Sequence, residues 1–132
     1  MRTTAKLARL LFITILAAVA WVVLAGCDSG PSAAAEKSHM SDAELRLTPE
    51  QAAGRRVYNL HCLVCHEAYS SSERNGPTLA GFYKKKFMVS GLPVNDERVR
   101  DIIVMGKSKM PPFGGQLSGD EVAALIAYMK TL

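Results

Sequence analysis

Cys62, Cys65 and His66 lie within five positions of one another in this 132-residue chain, and they are its strongest candidates for chemistry. They form the pattern Cys-x-x-Cys-His, in which two thiols become thioethers to a haem and the histidine becomes an iron ligand. A gap of two residues on a helical turn brings both sulfur atoms to one edge of the macrocycle. The pattern therefore predicts one covalently bound c-type haem, with His66 below the metal.

Two other uses of a Cys-x-x-Cys pair have less support in the sequence. A zinc site usually needs a second pair of ligands at similar spacing, and a thioredoxin-like dithiol needs strand-helix-strand patterning around it. Neither pattern is present, and the only other cysteine, Cys27, lies far upstream.

The first 26 residues indicate a different role for Cys27. Three basic residues precede an uncharged, largely aliphatic run at positions 10–26, which is the layout of a secretory signal peptide over residues 1–26. The run ends in Leu-Ala-Gly-Cys, which resembles the lipobox of bacterial lipoproteins. That resemblance implies cleavage before Cys27 and lipidation of its thiol.

An uncleaved membrane anchor is the alternative, because the apolar run of 17 residues is close to the shortest length that spans a bilayer. Both interpretations place the rest of the chain on the extracytoplasmic, periplasmic side of a bacterial cell membrane and attach it there.

Charge gives no sign of a nucleic-acid partner. The whole chain has a formal net charge of +4, but three of its basic residues belong to the predicted signal peptide, which leaves 13 basic and 12 acidic side chains in residues 27–132. The mature chain is therefore nearly neutral, and the high isoelectric point of the whole chain does not indicate nucleic-acid binding.

Residues 27–47 are rich in serine, alanine, glycine and alternating charges, which predicts a lipidated, flexible tether. The haem domain is predicted over residues 48–132. A domain of this size usually needs a disulfide, a metal or a bound cofactor to stabilise its fold, and the haem would have this role.

Three helices are predicted from capping residues and apolar spacing. Thr48, Asn95 and Ser118 are the expected N-caps. Apolar residues follow each cap at helical spacing: Ala53, Val57 and Leu60; then Val99, Ile102 and Ile103; then Val122, Leu125, Ile126 and Met129. Since no run of period-two alternation occurs, the predicted fold class is all-α, with three to five helices around one haem.

Residues 48–132 resemble a class I cytochrome c, a single-haem electron carrier of the short bacterial type. The matching segments follow the family's order: Gly54 and Tyr58, residues 62–66, residues 76–79, residues 109–113, and Leu125 with Tyr128. The resemblance implies the cytochrome c fold and a close crossing of the first helix over the last. It also implies a hydrogen bond from the His66 ring to the carbonyl of Pro77.

Met110 is the predicted second axial ligand, because its loop is rich in glycine and proline and lets a side chain turn inward. Met88, also in a loop, is the alternative, whereas Met105 and Met129 lie in helices and are predicted to pack in the core. A thioether opposite His66 raises the reduction potential. With both axial positions filled by protein, the iron has no open site for a substrate, which argues against an enzyme.

Two functions fit this prediction. The first is a membrane-tethered one-electron carrier between a quinol-oxidising complex and a terminal oxidase or reductase. The alternative is a fixed haem-bearing subunit of a membrane oxidoreductase complex. A haem sensor or peroxidase is a third class, which would require Met110 to leave the iron.

Exposed lysines near the ligand loop suggest how a redox partner would be attracted. Lys107 and Lys109, with Lys84, Lys85 and Lys86, are predicted to form a basic rim that steers an acidic partner, although an ordinary solvated face would have the same composition.

Overall fold

The computed structural model describes residues 32–132. Within this range there are four α-helices and no β-strand. The helices are α1 (Ala33–His39), α2 (Pro49–Val57), α3 (Asp96–Met105) and α4 (Gly119–Met129), with a π-helical turn at Tyr58–Cys62 and a 3-10 turn at Phe82–Lys84. The all-α prediction is confirmed. The predicted signal peptide and Cys27 lie outside the described residues.

Helices α2, α3 and α4 begin at the predicted caps. Thr48 and Ser118 each form a reciprocal capping box with the residue three positions further on. The Asn95 side chain caps α3 by accepting a hydrogen bond from the backbone N–H of Arg98. Within the described range, every helix falls short of the length and apolarity required to cross a bilayer.

The core forms where α2 crosses α4. A Cβ atom added to Gly54 would lie 1.9 Å from the carbonyl oxygen of Ala124, so the two backbones touch at this glycine. One turn later, the rings of Tyr58 and Tyr128 pack with centroids 5.6 Å apart. The predicted apolar face of α4 is buried as a whole: Val122, Leu125, Ile126 and Met129. The crossing that the resemblance implied is confirmed.

Two apolar residues are not where the helical spacing predicted. Leu60 is 78% exposed, because the helix widens into the π-turn and directs Tyr58 and Cys62 into the core instead. Met105 is 75% exposed, so its predicted core role is wrong. It lies two positions after the buried Ile103, which is about 200° around an α-helix.

The segment predicted to be a flexible tether is structured from Ala33 onward. After α1, the Ser41 N–H and hydroxyl both donate to the Glu44 carboxylate. Leu47 then packs against the core. The prediction of a flexible tether is therefore wrong for residues 33–47.

The physical reason is a contact from the domain itself. Arg55 of α2 donates to the Asp42 carboxylate at 2.9 Å and to the Ser38 carbonyl at 3.3 Å. The Arg55 side chain is only 11% exposed, whereas that of Asp42 is 41% exposed, so the guanidinium is largely shielded from water but its partners are not. These bonds fasten the segment to α2.

Candidate functional site

The π-turn positions the two cysteines of the Cys-x-x-Cys-His pattern. The carbonyl of Cys62 accepts from the backbone N–H of Cys65 at 3.0 Å and from that of His66 at 2.9 Å, which folds the three residues into one compact turn. Both thiols are free, and Cys62 is buried. Burial, together with the neighbouring Cys65, raises the pKa of Cys62 to about 11, so this thiol is neutral near pH 7.

Tyr58 ties this turn to the core. Its hydroxyl donates to the backbone carbonyl of His66 at 2.7 Å, and its ring is 2% exposed. Burial raises the pKa of Tyr58, which keeps the hydroxyl protonated and able to donate. Sequence reasoning gave this residue a packing role only. The two residues are eight positions apart, and nothing in the sequence predicts a hydrogen bond between them.

One nitrogen of the His66 imidazole forms a hydrogen bond with the protein backbone. Its Nδ1 lies 2.7 Å from the carbonyl oxygen of Pro77. Because a carbonyl oxygen only accepts, Nδ1 must carry the proton, and in the neutral ring the lone pair is then on Nε2. A nitrogen held in this tautomer is suited to bind a metal. The contact that the resemblance implied for Pro77 is present.

The loop that carries Pro77 is fixed by its own hydrogen bonds. The Thr78 hydroxyl donates to the carbonyl of Ser70 at 2.5 Å, and Arg74 forms an ion pair with Glu67. The backbone N–H of Gly76 donates to the carbonyl of Cys65 at 2.9 Å. These contacts were missed from sequence, since polar residues in a loop are expected to be solvated unless their partners are known.

The loop containing Met110 is pinned to the end of α3. Lys107 and Met110 exchange two backbone hydrogen bonds, of 3.1 and 2.9 Å, around a tight turn. The backbone N–H of Phe113 donates to the carbonyl of Ile103 at 2.9 Å. At Gly106, a Cβ atom would lie 2.7 Å from the carbonyl oxygen of Met110, so the loop folds directly over this glycine.

This loop also reaches the cysteine turn. The ring of Phe113 meets the ring of His61 edge-on, with centroids 5.9 Å apart. His61 immediately precedes Cys62 in the π-turn. The contact brings the Met110 segment beside the residues predicted to attach the haem, although the two are far apart in sequence.

The methionines that were considered as iron ligands differ in burial, and Met105 is the exposed one. Met110 and the alternative ligand Met88 are both partly buried against the core, whereas Met129 is fully within it as predicted. Lys107 and Lys109, which flank the turn before Met110, are both exposed.

The donor set fits a c-type haem. Two free thiols in one turn, an imidazole with its Nε2 lone pair available, and two partly buried thioethers supply the groups for covalent attachment and for axial ligation. The protein groups that orient the histidine are also in place.

Comparison with known proteins identifies the family. Residues 49–129 match the family model described as cytochrome c oxidase, cbb3-type, subunit III, and the chain belongs to this cytochrome c family. It is a class I, single-haem cytochrome c, a haem-based electron carrier with one c-type haem attached through Cys62 and Cys65.

Its relatives include cytochromes c6 and a cytochrome c2. The chain is similar to cytochrome c6 of Diacronema lutheri, with 28% identity over 59% of this chain and 90% of the relative. Cytochrome c6 of Tetradesmus obliquus is 31% identical over 59% and 85%, respectively. Cytochrome c2 iso-1 of Magnetospirillum molischianum is 28% identical over 54% and 89%.

Proposed function

We propose that this cytochrome is a membrane-tethered one-electron carrier in which His66 and Met110 ligate the haem iron. The observation that carries the proposal is the bond between His66 Nδ1 and the Pro77 carbonyl, which reserves Nε2 for the metal. When bound, the haem supplies reversible one-electron chemistry between its ferric and ferrous states.

The protein groups have separate tasks in this proposal. Cys62 and Cys65 attach the cofactor, and the Pro77 carbonyl fixes the tautomer and the basicity of His66. Met110 supplies a soft, neutral sulfur that favours the ferrous state and raises the potential. If His66 and Met110 both hold the iron, no position would remain for a substrate, so the protein would transfer electrons without acting as an enzyme.

The choice of Met110 over Met88 is supported by the contact between Phe113 and His61. The rings of these two residues bring the Met110 loop beside the cysteine turn at a centroid distance of 5.9 Å. The turn formed by Lys107 and Met110 holds the loop in this position.

Replacing each of the two methionines by alanine tests which of them ligates the iron. Holoprotein made with a haem maturation system should show the weak near-infrared absorption of sulfur-ligated ferric haem. Met110→Ala should lose this band, and its reduced form should bind carbon monoxide, whereas Met88→Ala should behave as wild type. The reverse result would assign the ligand to Met88, and retention of the band in both variants would exclude both residues.

Tethering is proposed from the sequence pattern before Cys27. The domain boundaries in this proposal are a signal peptide at residues 1–26, a lipidated linker from Cys27, and the haem domain at residues 48–132, onto which residues 33–47 are folded. The lipid anchor would hold the domain on the periplasmic side of a bacterial membrane. Mass spectrometry of the N-terminal peptide from native membranes should find Cys27 as the first residue, with a diacylglycerol group on its thiol and an acyl group on its amino nitrogen; an intact signal segment would indicate the uncleaved anchor instead.

The partners proposed are a quinol-oxidising complex as donor and a terminal oxidase or reductase as acceptor. The family description favours a second candidate, a fixed haem-bearing subunit of a membrane oxidoreductase. Mild detergent extraction of native membranes distinguishes the two. A free carrier should purify alone, whereas a subunit should elute together with a catalytic subunit.

A further inference from the structure

Residues 86–94 form a hairpin that carries the alternative ligand Met88 but has no assigned role in the haem site beyond that residue. The backbone N–H of Val94 donates to the carbonyl of Lys86 at 3.1 Å, and that of Met88 donates to the carbonyl of Leu92 at 2.8 Å. The tip of the hairpin is therefore held by its own backbone.

Several apolar side chains of this hairpin are left largely uncovered by the rest of the polypeptide. Met88 packs against the core, while its neighbours Phe87 and Val89 are 59% and 97% exposed, as expected when successive side chains alternate between two sides. Leu92 adds a third exposed apolar side chain, at 41%. Side chains so exposed contribute little to folding, so the tip presents apolar area that is available for a partner.

The base of the hairpin is basic. Lys84, Lys85 and Lys86 are all exposed, and residues 75–95 contain no acidic side chain. Lys84 donates to the backbone carbonyl of Leu132 at 3.0 Å, which fixes the base of the hairpin to the end of the chain. An apolar tip on a basic base complements an anionic lipid surface, where acyl chains lie beneath phosphate groups.

Helix α1, which follows the proposed anchor in sequence, lies near the base of the hairpin. Lys37 of α1 lines a crevice together with Ala80 and Leu132, and Lys84 bonds to that same Leu132. Because α1 is part of the folded domain, only five residues separate Cys27 from Ala33. A linker of that length spans at most about 20 Å, so it would keep this side of the domain near the bilayer.

We propose that the hairpin of residues 86–94 docks the domain on an anionic lipid surface. The side chains of Phe87, Val89 and Leu92 enter the interfacial layer, and the ammonium groups of Lys85 and Lys86 bind lipid phosphates. This inference deepens the tethered-carrier function and rests on it for the anchor. The hairpin would thus orient the domain relative to the membrane.

A nitroxide label at the tip tests the docking. The lipidated holoprotein carrying Val89→Cys has one free thiol, since the other three cysteines hold lipid or haem. After reconstitution in phosphatidylethanolamine and phosphatidylglycerol vesicles, the label should become accessible to oxygen and shielded from a water-soluble nickel complex. A label at Asp120→Cys, at the opposite end of α4 from Leu132, is the control and should remain accessible to nickel.

Lipid charge gives a second readout. In the Val89→Cys background, Lys85→Gln with Lys86→Gln should reduce the ratio of docked to undocked protein by roughly fivefold per lysine, and phosphatidylcholine vesicles should weaken docking similarly. Equal nickel accessibility at positions 89 and 120 in anionic vesicles would overturn the proposal. Shielding of position 89 only in native membranes containing other proteins would also overturn it, and would indicate a protein partner.

Lipidation of the anchor is tested separately from docking of the hairpin. The mass of the N-terminal peptide shows whether Cys27 is lipidated. If it is not, Cys27→Ser is added so that position 89 again carries the one free thiol, and this labelled holoprotein, added to preformed anionic vesicles, still tests the hairpin by the shielding of position 89. The reduction potential of each variant, expected to be unchanged, shows that the carrier itself is intact.

Discussion

The imidazole of His66 lies directly against Gly76: a Cβ atom at that glycine would be 2.5 Å from Cε1 of the ring and 2.9 Å from Nδ1. The next residue, Pro77, accepts the hydrogen bond from that Nδ1. The glycine therefore allows the loop to approach the ring closely enough for the carbonyl to orient it. One position supplies the space and its neighbour supplies the acceptor.

Gly76→Ala should displace the imidazole or break its bond to Pro77. We expect a loss of about 1–3 kcal/mol in the free energy of unfolding of the holoprotein, as for other overpacked sites, together with a shifted reduction potential. Urea unfolding followed by haem absorbance and redox titration measure the two effects. Gly115→Ala is the control, because a Cβ there has no neighbour within 4 Å. If both variants matched wild type, the close contact would be unimportant.

Gly54→Ala should disrupt the crossing of α2 and α4. The added Cβ would lie 1.9 Å from the carbonyl oxygen of Ala124, and backbone atoms can yield only if the helices separate. We expect at least about 3 kcal/mol of destabilisation, at the upper end of the range for overpacking. Denaturant unfolding measures it. Gly119→Ala, with open space around its Cβ, should stay within about 0.5 kcal/mol of wild type; a similar loss in the two variants would contradict this account.

Local signals explain why most of the fold was predictable. The capping side chains Thr48, Asn95 and Ser118 each bond within their own helix turn, so the residues that define the helix starts are adjacent in sequence. The cysteine pattern is also local. For the same reason, Met105 could have been placed correctly by counting around α3 from the buried Ile103.

Other features depend on contacts between distant residues, and the sequence could not show these. Arg55 reaches back 13 positions to Asp42, and this bond orders a segment whose composition alone indicates flexibility. The contact between His61 and Phe113 likewise exists only after folding. Leu60 was misplaced because a π-turn replaces the regular helix there, and helical spacing assumes that the period is constant.

Arg55→Ala should release residues 33–47 from the domain. It removes the hydrogen bonds to Asp42 and to the Ser38 carbonyl, and because Asp42 is 41% exposed we expect the loss to be about 1 kcal/mol. Hydrogen exchange should become faster across residues 33–47 and stay unchanged in α4. Arg56→Ala, on the exposed side of α2, is the matched control. Unchanged protection of residues 33–47 in Arg55→Ala would show that the core contact of Leu47 suffices.

Tyr128 should make stability depend on alkaline pH. Burial, reinforced by the hydrogen bond with Tyr69 at 2.8 Å, raises the pKa of Tyr128 above its ordinary value of about 10. A raised pKa in the folded state means that the contribution to stability is complete below about pH 10 and is lost as the pH rises through the folded value.

Tyr128→Phe should separate this effect from general alkaline unfolding. The variant should lose about 1 kcal/mol near neutral pH, where the hydrogen bond to Tyr69 is removed. Above about pH 10 its stability should fall less steeply than that of wild type, because one buried hydroxyl no longer ionises. Urea unfolding at a series of pH values provides the comparison. Parallel pH profiles for the two proteins would show that Tyr128 does not contribute to the pH dependence of the free energy of unfolding.

Lys107 and Lys109 should attract anionic redox partners to the Met110 loop. Both lysines are exposed on the turn that Lys107 and Met110 close. Replacing both by glutamine should slow oxidation of the reduced protein by hexacyanoferrate(III) by about tenfold at low salt, since steering of this kind changes encounter rates by that order or more. Stopped-flow absorbance measures the rate.

Salt and charge provide the controls for this steering. The difference between the variant and wild type should shrink as the ionic strength approaches about 0.15 M, where the screening length is about 8 Å. A cationic oxidant, tris(phenanthroline)cobalt(III), should react faster with the variant than with wild type. Lys37→Gln with Arg56→Gln removes the same charge from exposed positions on α1 and α2 and should have a smaller effect. Equal rates in the two double variants would mean that net charge, rather than a local basic surface, governs the encounter.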